Sequence, residues 1–315
     1  MRTLHLDLDA LRSFTTGIAL GSFARAAVQL HRSTSAVSAQ LKKLEQQAGA
    51  PLLVRHGRGL ALTPTGEVLH GYARRLLALN DEAVAALDGA HWQGEVRLGL
   101  QAEFGEQLLP AVLGRFGRAH PRLQVEAQIA RGAALVEGLA AGQFDLALAL
   151  AWAGPALPAS LSPQTLAEVP LCWIGPVVGG ALAGTPAAPL PLAMLDAPCP
   201  MRSAAIAALD AAGVAWRVAF SSASLAGVWA AVEAGLGITL RTPLCLPRGL
   251  RVLDPQVHGL PAMPTVALHL HRASDSPAVD ALATLVREAV ATQVAALPRG
   301  RAPRGRAQAS GSSER

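Results

Sequence analysis

The sequence predicts a small, mainly α N-terminal domain with a helix-turn-helix and a wing, then one long helix, then a larger α/β region in two sheet-bearing parts. Three observations carry this. Apolar residues recur at helical spacing through residues 8–48 and again through 68–87. Beyond Gly94, short apolar runs of strand character alternate with helical ones. Between these regions, residues 51–67 place two short apolar runs around a basic, glycine-rich tip.

The first helix is carried by Leu8, Leu11, Phe14, Ile18 and Ala19 and ends near Gly21. Phe23, Ala26, Ala27 and Leu30 then give a short helix able to bury one side only. A third helix opens on the hydroxyl residues Ser33, Thr34 and Ser35, any of which can cap free N–H groups, and runs through Val37, Leu41, Leu44 and Ala48 to Gly49. Its other face carries Thr34, Ser35, Ser38, Lys42 and Lys43, the last two being the only lysines of the chain. A small polar leading end and a basic trailing end suit a helix lying in the DNA major groove, with base edges read first and phosphates met behind. The candidate DNA-binding residues are Arg32, Ser33, Thr34, Ser35, Ser38, Gln40, Lys42 and Lys43, joined by Arg55 and Arg58 of the wing. The plain alternative is a helical hairpin with a solvated polar face.

The motifs Gly-Ser-Phe, Arg-Ala-Ala, Ser-Ala-Val-Ser, Leu-Glu and Leu-Thr-Pro-Thr-Gly-Glu follow in order between Gly21 and Glu67. In this series the chain resembles the N-terminal domain of LysR-type transcriptional regulators, and its length fits that family. Two positions depart from the pattern: Thr34 stands where many members have Gln, and Leu53 where they usually have Phe. A hydroxyl cannot make the two-pronged contact of Gln to adenine, so a different base preference is expected.

Charge is concentrated where phosphate binding needs it. The chain has 27 basic and 22 acidic residues in 315, but from Arg25 to Arg75 eight basic residues face only Glu45 and Glu67. An apolar fraction of 51% with 4% aromatic residues implies cores built mainly from Ala, Leu and Val. Cys172, Cys199 and Cys245 form neither a metal spacing nor an even disulfide set, as expected in a reducing cytosol. Asp7 and Asp9 occupy the place where a signal peptide needs an apolar run, and no apolar segment reaches spanning length. A cytoplasmic protein with no membrane partner is expected.

Val68, Tyr72, Leu76, Leu79, Ala83 and Leu87 are spaced as the seam of a coiled coil. Such a helix wants a second copy, and the resemblance also implies that it pairs two subunits; packing against its own domain is the other reading. Near His91 to Gly94 the periodicity changes, which sets the domain boundary.

The α/β region then offers strands at 96–100, 123–129 and 146–150 with helices at 107–120 and 135–141, forming one sheet. Strands at 172–175, 190–194, 216–220 and 238–240 with helices at 204–212 and 225–234 form another. A strand at 266–270 and a helix at 278–297 return to the first. This region resembles the two-lobed, periplasmic-binding-protein-like effector domain of the same family, chiefly in residues 142–148 and 231–238. The expected organisation is a winged helix-turn-helix over 1–66, a linker and dimerisation helix over 67–92, and an effector domain over 93–297. Its first lobe would comprise about 93–165 and 265–297, its second about 166–264, and a disordered basic tail would follow at 298–315.

No nucleophile elbow, phosphate loop or His-Glu-x-x-His motif is present, and Gly235-Leu236-Gly237 is too short for a dinucleotide fingerprint. An enzyme is not expected, nor any cofactor. His269 and His271 share one strand face but lack a third ligand nearby in sequence, so no metal is assigned. Ligands of open α/β sheets sit beyond the carboxyl ends of strands, which selects the loops bearing Gln101, Glu103, Phe104, Arg131, Arg202, Ser222 and Ser224. Helices starting near Arg202 and Ser224 would suit a small carboxylate or another anion, while Glu103 would repel an anion or pair with Arg202. The resemblance implies a dimer or tetramer on an inverted-repeat DNA site, a small-molecule effector not identified by the sequence, and RNA polymerase as a further partner. The alternative class is a solute-binding or transferase-like α/β protein with an accessory helix-turn-helix module.

Overall fold

The computed structural model describes residues 5–56, 59–88, 92–151, 161, 163–177 and 188–297. The expected tail at 298–315 lies outside them, as do Arg58 and the side chain of Arg55. Two compact units divide the chain, one of residues 1–92 with 117–122 and one of residues 93–116 with 123–315.

In the first unit, α1 (Leu8–Leu20) is capped by the Asp7 carboxylate and closed by Gly21 in the left-handed conformation. Ser22 caps α2 (Phe23–Gln29) and Ser33 caps α3 (Thr34–Ala48), each accepting from an amide three residues on. Ala10, Leu11 and Phe14 of α1 meet Leu44 of α3, Leu52, and Ala73 and Leu77 of the long helix in one buried cluster. The wing is an antiparallel pair, β1 (Leu53–His56) and β2 (Gly59–Leu62), with Leu53 opposite Leu62. Thr63 joins it to α4 (Pro64–Asp88): its hydroxyl donates to the Pro51 carbonyl and accepts from the Gly66 amide. Pro64 at the first helical position loses nothing by lacking an N–H.

One helix therefore serves two surfaces. Leu69, Ala73 and Leu77 turn α4 inward onto α1, whereas Val68, Tyr72, Leu79 and Leu87 remain 63%, 58%, 62% and 79% exposed. The inward packing is present, and Val68, Tyr72, Leu79 and Leu87 of the stripe read from spacing as a coiled-coil seam are exposed. The helix begins at Pro64, directly after the wing, where Thr63 supplies the cap.

In the second unit, a five-stranded sheet has the order β4–β3–β5–β12–β6. Its strands are β3 (Gly94–Gln101), β4 (Leu123–Ala130), β5 (Leu146–Leu150), β6 (Gln164–Pro170) and β12 (Thr265–Arg272). β3 runs parallel to β4 and β5, and β12 runs antiparallel to β5 and β6. Helices α5 (Ala102–Ala119), α6 (Gly132–Ala140) and α10 (Pro277–Ala295) belong to this lobe. The lobe extends to Pro170 instead of 165, since β6 pairs with β12, a partner about a hundred residues away by sequence order.

The other lobe holds β7 (Cys172–Pro176) between β10 (Thr239–Arg241) and β11 (Leu250–Val252), and a parallel pair β8 (Leu190–Leu195) with β9 (Trp216–Ser222). A parallel bridge from Leu192 to Ile238 ties the two sheets together. Helices α7 (Pro200–Ala211), α8 (Leu225–Glu233) and the short α9 (Pro255–His258) complete it. One buried apolar cluster runs through both lobes, from Leu98 and Phe104 to Trp173, Leu192 and Val232. No described helix is long and apolar enough to cross a membrane.

Candidate nucleic-acid interface and effector cleft

Helix α3 splits its residues by face. Val37 and Leu44 are buried, while Thr34, Ser35, Ser38, Lys42 and Lys43 are all exposed. The Ser33 hydroxyl accepts from the Ala36 amide at 3.1 Å and sits 2.9 Å from the Ser35 hydroxyl. Ser38 donates back to the Thr34 carbonyl at 2.9 Å, the usual local bond of a hydroxyl inside a helix. Lys42 has no ion pair among the described residues.

Three expected contacts are altered by neighbours. Gln40 does not share the outward face: its carboxamide oxygen accepts from the buried Ser13 hydroxyl at 2.6 Å, so it locks α3 to α1. Arg32 pairs with Asp9 at 2.6 Å, and Lys43 pairs with Asp7 at 2.9 Å. The acidic start of α1 thus lies beside the basic residues of the helix-turn-helix. The hydrogen bond from Lys43 holds the Asp7 carboxyl below its ordinary value, although partial burial opposes this.

At the carboxyl ends of the strands, Gln101 closes β3, Arg131 follows β4 and caps α6 by position, and Ser222 closes β9. Gln101 is buried and accepts from the Leu150 amide at 2.9 Å. Arg131 reaches across to the second lobe, where it donates to the Pro198 carbonyl at 3.0 Å and pairs with Asp196. Arg202 donates to the Leu195 carbonyl at 3.1 Å and to the Ser221 hydroxyl at 3.2 Å. Ser222 accepts from the Ser224 amide at 3.1 Å, in front of α8, whose own cap Ser224 makes no side-chain capping bond.

Two expectations fail here. Residues 101–104 are no loop: α5 begins at Ala102, directly after β3, and Phe104 is 1% exposed within the core, so it lines nothing. Glu103 pairs with Arg241 and not with Arg202, at 3.3 Å, with both side chains almost wholly buried. The sequence does not single out Arg241, because its partner lies 138 positions away. A signal existed: a single arginine directly after the apolar strand Ile238-Thr239-Leu240, at the kind of strand end used to choose the other candidates.

Residues 8–67 match the bacterial regulatory helix-turn-helix protein, lysR family, and residues 89–291 match the LysR substrate binding domain. The second match alone covers more than half of the chain. The chain belongs to the LysR family. The HTH-type transcriptional regulator PecT of Dickeya dadantii is 37% identical over 274 residues, 86% of this chain and 83% of that protein. DgdR of Burkholderia cepacia, also an HTH-type transcriptional regulator, is 35% identical over 278 residues, 82% and 86% of the two chains. A solved structure of Vibrio fischeri DarR in complex with DNA shares 17% identity, with 90% of this chain and 99% of that one covered and a TM-score of 0.48. On the two family matches and the curated relatives, this LysR-type protein is a DNA-binding transcriptional regulator with a substrate-binding effector domain.

Proposed function

We propose that this regulator reads a two-fold DNA site as a dimer or tetramer and changes its grip when a small molecule enters the cleft between its lobes. The observation that carries the reading is the division of α3: Val37 and Leu44 hold it to the domain while Thr34, Ser35, Ser38 and Lys42 face outward as one polar and basic strip. Thr34 and Ser38 meet base edges, Ser33 and Ser35 hold the leading turn, and Lys42, Lys43 and Arg32 meet phosphates. Arg58 of the wing enters the adjacent minor groove, where A·T-rich tracts concentrate negative potential, and Arg55 is a further DNA contact. The exposed seam of α4 pairs two copies and so sets the half-site spacing. In this reading residues 1–66 bind DNA, 67–92 dimerise, and 93–297 sense the effector.

The effector site lies beyond the strand ends carrying Gln101, Arg131, Arg202, Ser222, Ser224 and the Glu103–Arg241 pair. α7 and α8 begin there without side-chain caps; Pro200 opens α7 and has no N–H, so the amides of Met201 and Arg202 and those of the first turn of α8 are the donors for an anion. To act as a switch, the effector must favour one arrangement of the oligomer; a tenfold preference supplies about 1.4 kcal/mol. RNA polymerase is the partner through which a bound regulator would act on transcription. Footprinting the full chain on the DNA upstream of its own coding sequence tests this reading. Two protected half-sites related by two-fold symmetry are expected, and protection without symmetry or no protection contradicts it.

A further inference from the structure

Resting on the cleft reading above, we propose that the effector is a small zwitterion of the amino-acid type, its carboxylate held by Arg241 with the first turn of α7 and its ammonium held by Glu103. The side chains of Arg241 and Glu103 are 2% and 3% exposed, yet they share one contact, Nη1 to Oε1, at 3.3 Å. That is long for a charge-assisted bond and far from the paired bonds a guanidinium and a carboxylate can make. Both groups are left unsatisfied: among the described residues Arg241 Nε and Glu103 Oε2 have no hydrogen-bond partner. The Thr239 hydroxyl, on the same face of β10 as Arg241 by strand alternation, is buried and unpartnered too. A buried ion pair kept only for structure would leave few such groups, because each one costs stability.

The other neighbours of Arg241 sharpen the charge argument. Nη1 lies 3.2 Å from Met201 Sδ and 3.8 Å from Cys199 Sγ, both weak acceptors. Cys199 is the cap position of α7 and makes no capping bond, so the guanidinium sits against the positive end of a helix. Two positive groups converge there, and Glu103 offers the guanidinium only one oxygen contact. Pro200 has no N–H, so a ligand carboxylate would accept from the guanidinium and from the Met201 and Arg202 amides of the first turn of α7. A dicarboxylate would then meet the free oxygen of Glu103, and a simple amine would meet Arg241 and the helix end. A ligand carrying both signs satisfies both groups. Glu103 stands at the start of α5 in the first lobe and Arg241 at the end of β10 in the second, so such a ligand grips both lobes at once.

The test uses the full chain, with thermal shift followed by calorimetry. The probes are the proteinogenic α-amino acids, β-alanine and 4-aminobutyrate; for each hit, its carboxylic acid without the amine and its amine without the carboxylate follow. At least one amino acid should bind, with each truncated analogue weaker by about tenfold or more. Glu103→Gln should weaken the amino acid by a similar factor without weakening the deaminated acid, and Arg241→Lys, which keeps the charge balance for folding, should weaken both. Absence of any amino-acid response overturns the proposal. So does a carboxylate that binds as well without an amine, loses affinity in Arg241→Lys and ignores Glu103→Gln; that result leaves the cleft reading standing. A ligand indifferent to both substitutions refutes the cleft reading as well.

Discussion

Lys43 Nζ lies 2.9 Å from one oxygen of Asp7, while the other oxygen of the same carboxylate caps α1 through the amides of Asp9 and Ala10. A phosphate approaching Lys43 therefore competes with a group of the protein itself. Asp7→Asn keeps a good cap and removes the charge. It should raise affinity for any DNA sequence and steepen the salt dependence, as measured by binding isotherms at several salt concentrations. Unchanged isotherms would mean that the pair does not restrain Lys43.

The same pair fixes a sign for pH. Lys43 holds the Asp7 carboxyl below its ordinary value of 3.8, so its contribution to stability is fully present above that value and is lost as pH falls through the depressed folded value. The pair is largely exposed, so the contribution is small. Acid unfolding monitored by circular dichroism should find Asp7→Asn slightly less stable at neutral pH and equal to the parent once Asp7 is protonated.

The two faces of α4 should separate oligomerisation from folding. Leu79 is 62% exposed and Leu77 is 7% exposed. Leu79→Asp should give folded protein that light scattering finds monomeric. Leu77→Asp should instead destabilise the winged unit by several kcal/mol, about 3–5 for an unpaired buried charge. A Leu79→Asp protein that keeps its oligomeric state would remove α4 from the subunit interface.

Gly66 offers a test of the junction between wing and helix. A Cβ there would fall 2.1 Å from the Leu52 carbonyl oxygen, a backbone atom that cannot swing aside. Gly66→Ala should cost roughly 1–3 kcal/mol, as inserted bulk does in a packed core, and lower the thermal midpoint. A protein of parental stability would show that the junction relaxes.

The α1 to α3 region was legible because its signals are local: Ser33 caps a helix that begins next to it, and Gly21 and Gly49 end two helices. The second unit was legible in rhythm but not in its edges. β6 follows Pro163, ends on Pro170 and becomes a strand only by pairing with β12. Residues 102–104 read as a loop because the helical pattern is clear only further on, whereas α5 follows β3 without a break. The effector candidates follow from strand ends alone, and sequence spacing has no means of joining Glu103 to Arg241 across 138 positions. Gln40 was misplaced for a related reason: its direction is set by Ser13 on another helix.

The central claim, that the outward face of α3 reads DNA bases while its basic residues meet phosphate, has one direct measurement. Gel shifts of the full chain on its footprinted site and on an unrelated duplex, across a salt series, should compare the parent with Thr34→Ala, Ser38→Ala and Lys42→Ala. The account predicts that Lys42→Ala weakens both duplexes alike and flattens the salt slope by about one, while Thr34→Ala or Ser38→Ala loses about 1–3 kcal/mol on the specific site alone. Parental curves for all three variants on both duplexes would contradict it.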